Sequence, residues 1–204
     1  MPTLLLTDKF LMSRTSNGMD NEENLIKQCQ SGETDKFGLL YDDYVQKIYR
    51  YVFYRTHHKE TAEDITGTVF VKALENINSF DASRASFSAW IYRIARNTVI
   101  DHFRTTKINV NIEDVLEMGI NDNTQDDIDI RQKIKRVQEY MKQLDPDQRE
   151  ILILRVWEGL SYSEIAHIVG KKEINLRVIF SRTLKKIKKD IGPLAILLIM
   201  TTKM

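Results

Sequence analysis

The residues of this chain best suited to holding a ligand lie near its end. Arg177, Ser181, Lys185 and Lys188 follow one another at spacings that place them on one side of a helix. Leu176, Phe180, Leu184 and Ile187 repeat those spacings as a separate apolar stripe and turn inward. Lys171 and Lys172 stand at the entrance to this helix and Arg182 alongside it, and Glu173 is the only acidic residue within it before Asp190. Ammonium and guanidinium groups in such an array neutralise phosphates, and amide and hydroxyl groups such as those of Asn175 and Ser181 reach base edges. The chemistry this implies is non-covalent recognition of a polyanion. A plainer reading is a solvated face whose terminal lysines complement the helix dipole.

The elements that position this helix argue for the first reading. Ser161-Tyr-Ser-Glu164 has the form of a capping box, in which the serine hydroxyl and the glutamate carboxylate satisfy the first backbone N–H groups reciprocally. The short helix it opens closes at Gly170, and the cationic helix follows after a few residues. Two helices joined by a tight glycine-containing turn are the sequence form of a helix-turn-helix, whose second helix enters the major groove of DNA. Ala166 supplies a small side chain where the two helices cross. Upstream, Asp145-Pro146 reads as an N-cap followed by proline at the first helical position. That helix carries Ile151, Leu152, Leu154, Val156 and Trp157 and stops at Gly159, and another helix precedes it over residues 130–144.

The first half of the chain is also helical in pattern. Phe37, Leu40, Tyr44, Ile48 and Val52 mark one helix, ended by the polar break Thr56-His57-His58-Lys59. Ala62, Ile65, Val69 and Ala73, with Leu74 or Ile77, mark a second. A short loop, Phe80 to Ser86, leads to a third helix over residues 87–104, whose buried stripe is Trp90 or Ile91, Ile94, Thr98 and Val99. Trp90 reads best as a core residue. His57-His58 with Glu60 and Asp64 invites comparison with a metal site, but adjacent side chains point apart and a surface turn is the better account.

The class expected is therefore all-α, with two small helical domains joined by an acidic flexible linker, the second containing the helix-turn-helix. A length of 204 residues with 42% apolar content accommodates two small cores, and few prolines and glycines favour long helices. One cysteine, Cys29, excludes an internal disulfide framework and fits a reducing compartment, the cytoplasm. The expected divisions are a disordered leader (1–23), a first domain (24–106), a linker rich in Asp and Glu (107–129), a second domain (130–191) and an apolar tail (192–204). The tail is too short to span a bilayer; it packs on its own domain, binds a partner or touches a membrane surface, and the first is preferred. No phosphate loop, nucleophile elbow or paired catalytic carboxylates stand out, so no cofactor, metal or enzymatic activity is expected. A stand-alone helix-turn-helix regulator is the alternative, although its first domain would more typically be a ligand or receiver module.

Several stretches resemble one family. Leu144-Asp-Pro-Asp-Gln-Arg-Glu-Ile and Leu160-Ser-Tyr-Ser-Glu-Ile-Ala-His-Ile-Val-Gly170 resemble domain 4 of the extracytoplasmic-function (group IV) sigma factors of bacterial RNA polymerase. Ala62-Glu-Asp-Ile, Val69-Phe, Phe80-Asp and Phe87-Ser-Ala-Trp-Ile-Tyr-Arg-Ile-Ala-Arg-Asn97, with Asp101 and Arg104, resemble their domain 2. The resemblance implies promoter recognition in complex with core polymerase, through its beta-prime clamp helices and beta flap, and control by an anti-sigma factor. It implies that Lys171, Lys172, Asn175, Arg177, Ser181, Arg182 and Lys185 meet the minus-thirty-five element. Arg93, Arg96, Asn97, Asp101 and Arg104 would meet the minus-ten element. Ser83, Arg84 and Ser86, in the loop Asp81–Ser86, would capture a flipped-out base, although that loop also reads as an ordinary turn. Asp64, Thr68 and Val71 fall where relatives contact polymerase. Ile174 and Ile179 stand where relatives often have glycine and arginine.

Overall fold

The computed structural model describes residues 16–106, 139–141 and 143–192. The chain divides into two compact units, Met1–Ile108 and Asn109–Met204. Among the described residues all regular structure is helical. The expected leader (in its first fifteen residues), the acidic linker, most of the helix over 130–144 and the apolar tail after Gly192 lie outside the described residues.

The first unit contains α1 (Ser16–Gln30), α2 (Phe37–Thr56), α3 (Lys59–Glu75) and α4 (Phe87–Thr106). The stripe Phe37, Leu40, Tyr44, Ile48 and Val52 is buried as its spacing requires, joined by Tyr51. Helix α3 packs on α2 and α4, and α1 packs on α2. The α2–α3 break is made by the two histidines. His57 ends α2 in a left-handed conformation, and His58 caps α3 with Nδ1 accepting from the Thr61 N–H at 3.2 Å. Both thus serve helix ends, which matches the surface-turn account.

Helix α3 stops at Glu75, and a 3-10 turn over Ile77–Ser79 swings Ile77 into the core while Leu74 stays exposed. Gln30 fixes this turn from α1, its Nε2 donating to the Ile77 and Phe80 carbonyls at 3.0 and 2.9 Å. Phe80 and Phe87 are buried, and the ring of Trp90 lies within 5.5 Å of both, centre to centre. On α4, Ile91, Ala95, Thr98 and Val99 form the buried stripe. Trp90 and Ile94 are only half-buried, a correction to the expected stripe. They lie on its flank, where α3 does not cover them completely.

In the second unit, Asp145 caps α5 (Pro146–Leu152), its Oδ1 accepting from the Asp147 N–H at 3.0 Å, with proline at the first position. The helix continues as a π-helical turn over Ile153–Trp157. Five consecutive residues, Glu150 to Leu154, are buried across this junction. A 3.6-residue period cannot hide five in a row along one stripe, and the wider turn helps to do so. Val156 is only half-buried. Tyr140 donates from its hydroxyl to Asp190 at 2.5 Å, joining residues 139–141 to the last helix. Burial and the adjoining carboxylate push its phenol up to about 12.

Helices α6 (Tyr162–Val169) and α7 (Glu173–Ile191) form the helix-turn-helix. The capping box is complete: Ser161 Oγ accepts from the Glu164 N–H at 3.1 Å, and Glu164 Oε2 accepts from the Ser161 N–H at 2.8 Å. Gly170 ends α6 at φ +70°, a left-handed conformation that a side chain would strain. Leu176 and Ile187 are buried on α7, as is Thr183, whose hydroxyl is satisfied by the Ile179 carbonyl at 2.8 Å. Phe180 and Leu184 are half-buried, less than the spacing implied. Since α6 has only eight residues, its cap matters. Ser161→Ala is expected to lower stability by about 1 kcal/mol, read as a shifted denaturation midpoint at constant m-value.

Candidate nucleic-acid interface

Helix α7 carries the expected cations outward. Lys172, Asn175, Arg177, Ser181, Arg182 and Lys185 are exposed. Lys172, Arg182 and Lys185 have no ion-pair partner among the described residues. Two of the expected contacts are already engaged. The Lys171 ammonium pairs with Asp147 of α5 and is half-buried. The Arg177 guanidinium reaches Glu173 at 3.5 Å and lies over the Tyr162 ring, 4.4 Å from its centre. Arg155 stacks over the same ring at 4.7 Å. Such cation–π contacts contribute about 0.5–1 kcal/mol each at exposed sites. Tyr162 therefore links α7 to Arg155, which in turn donates to the Leu160 carbonyl at 2.8 Å.

In the first unit the residues expected at one element occupy two places. Arg93, Asn97 and Arg104 are exposed along one side of α4. Arg96 and Asp101 are half-buried, and Arg104 pairs with Asp101 at 3.2 Å. The loop residues cluster at the other end: Ser86 and Arg104 are separated by about 27 Å of helix at 1.5 Å per residue. Within the loop, Asp81 Oδ1 accepts from the Ser83 N–H and hydroxyl at 2.9 and 2.7 Å, and Oδ2 pairs with Arg84 Nε at 3.2 Å. The Ser83 hydrogen bonds, aided by Arg84, hold the Asp81 carboxyl below its ordinary range. Ser86 Oγ accepts from the Ala89 N–H at 3.2 Å in the first turn of α4.

Between α3 and α4 lies an open groove of about 270 Å³ lined by Lys72, Asn76, Ser79, Trp90, Ile94, Asn97 and Thr98. Lys72 Nζ donates to Thr98 Oγ1 at 3.2 Å across it. An aromatic face, an amide and an ammonium around one groove suit a stacked base beside its phosphate. Of these, the sequence pattern marks Asn97 as a contact and Trp90 as core, and it does not mark Lys72, Asn76 or Ser79. The available signal was Lys72 and Asn76 four residues apart, bordering the Val69–Ala73 stripe. Asp64, Thr68 and Val71 form an exposed line on α3, with Thr68 Oγ1 donating to the Asp64 carbonyl at 2.9 Å.

Residues 40–108 match the family model Sigma-70 region 2, and residues 134–187 match Sigma-70, region 4. The chain is 33% identical over 168 residues to the ECF RNA polymerase sigma factor BldN of Streptomyces coelicolor, covering 81% of this chain and 64% of that protein. It is 33% identical over 157 residues to the RNA polymerase sigma factor YlaC of Bacillus subtilis, covering 74% of this chain and 89% of the relative. In fold it is similar to CnrH, solved in complex with the cytosolic domain of CnrY, with a TM-score of 0.61 at 22% identity over 81% of this chain and 93% of CnrH. It is also similar to a sigma factor RpoE of Bartonella quintana, solved with the anti-sigma factor NepR, with a TM-score of 0.58 at 21% identity over 75% of this chain and 94% of that one.

Proposed function

The chain belongs to the extracytoplasmic-function sigma factor family, and from that premise we propose that it acts as a group IV sigma factor, directing core RNA polymerase to specific promoters. The observation that carries this reading is the pairing of a region 2 match with a later region 4 match whose second helix is cationic on its outward side. A stand-alone helix-turn-helix regulator accounts for the second match and leaves the first without a role. The protein works by binding and not as an enzyme, in the cytoplasm. No described helix is long and apolar enough to cross a membrane.

Two domains, 24–106 and 130–191, with a linker at 107–129, divide the work. On α7, Lys172, Asn175, Arg177, Ser181, Arg182 and Lys185 meet the minus-thirty-five element, and Lys171 joins them once it leaves Asp147. The side of α4 bearing Arg93, Arg96, Asn97, Asp101 and Arg104 meets the minus-ten element. The groove at Trp90 and the loop residues Ser83, Arg84 and Ser86 receive an unstacked strand and its extruded base. The α3 line of Asp64, Thr68 and Val71 docks on the beta-prime clamp helices, while the second domain engages the beta flap. An anti-sigma factor is a proposed partner, supported by the complex with the anti-sigma factor NepR in which one fold neighbour was solved.

The test is reconstitution. The purified chain, mixed with core polymerase and a genomic promoter library, is expected to give discrete run-off transcripts absent with core alone. Tight sequence-specific DNA binding without polymerase, and no transcripts with it, would favour the stand-alone regulator instead.

A further inference from the structure

Between its cations, α7 exposes two large apolar side chains. Ile174 is 64% and Val178 42% exposed, whereas Leu176 and Ile187 on the inner side are fully buried. At 100° per residue, Ile174 and Val178 fall near the line opposite Leu176, in the N-terminal half of the outward side, and Lys185 lies further along the same line. Arg177 flanks this line on one side and Arg182 on the other. A surface that covers Ile174 and Val178 is therefore apolar over these two side chains and anionic where it meets Lys185 and the flanking arginines. Duplex DNA meets both conditions at one kind of position: the only apolar group presented in the major groove is the thymine 5-methyl. The exposed Asn175 is adjacent in sequence to Ile174, and its amide is of the type that reads adenine N6 and N7 bidentately.

We propose that Ile174 and Val178 read thymine 5-methyl groups, making this chain's upstream element depend on at least one A·T pair beneath the N-terminal half of α7. The inference rests on the proposed reading of α7 as the helix that enters upstream duplex DNA. It differs from the cation contacts in kind, since a methyl contact carries no charge and discriminates by sequence. Acidic protein surfaces also combine charge with apolar groups, but they do not supply a purine edge for Asn175.

The full-length chain, bound to core polymerase, is used to select upstream sequences from a randomised duplex library. Each enriched thymine is then replaced singly by deoxyuridine, which lacks only the methyl group. At least one replacement is expected to weaken binding about fourfold, equivalent to about 0.8 kcal/mol for one buried methyl. The loss should be equal at about 50 and 200 mM salt, a range over which phosphate contacts weaken strongly. It should vanish in the double variant Ile174→Ala/Val178→Ala, whose unchanged melting temperature would confirm an intact fold. Enriched sites without thymine, or indifferent to deoxyuridine, would overturn the proposal and leave the reading of α7 intact. So would a penalty that persists in the double variant, or a double variant that loses affinity for polymerase alone. If the complex initiates transcription yet enriches no upstream sequence, the reading of α7 fails and the proposal with it.

Discussion

Replacing Ile165 with alanine is expected to unfold the helix-turn-helix while leaving the first unit folded. Ile165 is fully buried, and together with Ile168 it supplies all the buried side chains of α6. A helix of eight residues has no stability of its own in water and is held by its packed side. Truncating a buried isoleucine to alanine costs about 2–5 kcal/mol, from the lost transfer energy and the cavity left behind. A core in a domain the size of the proposed 130–191 rarely supplies more than about 3–5 kcal/mol in total, so the loss approaches the whole. The two tryptophans report the outcome separately, Trp90 lying in the first unit and Trp157 in the second. Single-tryptophan versions in denaturant should show the Trp157 transition moved sharply downward and the Trp90 transition in place. Promoters that depend on the upstream element should lose initiation in step. A Trp157 midpoint within error of the parent would refute the assignment of Ile165 as the keystone of this motif.

The parts of this fold legible in the sequence are those fixed by neighbours along the chain. The Asp145-Pro146 start, the Ser161–Glu164 capping box and the Gly170 stop each depend on residues within four positions, and each forms as its spacing predicts. The stripe from Phe37 to Val52 is equally local in origin. What periodicity cannot give is the identity of the neighbour that arrives. It places Lys171 at the entrance to α7, but Asp147 lies 24 residues away in sequence and claims its ammonium. It reads Trp90 as a core residue, yet the packing of α3 leaves the indole half-buried at the border of a groove. Whether Leu74 or Ile77 completes the stripe depends on where α3 ends, and the 3-10 turn that brings in Ile77 is tied down by Gln30 from a distant helix. The π-turn after Leu152 likewise answers a demand for burial set by tertiary packing. Residues whose role is to face solvent, by contrast, are read well, because the outward side of an amphipathic helix is defined by what it lacks. That is why the exposed cations of α7 are legible from spacing, whereas the pairing of Lys171 with Asp147 is not.

That asymmetry makes the salt dependence of promoter binding the most informative second measurement. Arg182 and Lys185 are exposed on α7 without ion-pair partners among the described residues, so nothing described must be broken before they meet phosphates. Each such contact contributes about −0.9 to the slope of log affinity against log salt, so four would give about −3.6. The variant Arg182→Ala/Lys185→Ala should flatten the slope of the holoenzyme on upstream DNA by about 1.8. Between about 50 and 200 mM salt the parent should therefore lose roughly twelvefold more affinity than the variant. Folding should be untouched, since neither side chain is buried. Lys171→Ala is the internal control. Its ammonium has to leave Asp147 before it can serve DNA, so its contribution to affinity is partly offset and its removal should flatten the slope by less than either exposed cation. Equal slopes for parent and double variant would mean that the outward side of α7 does not face the DNA backbone, whatever else it touches.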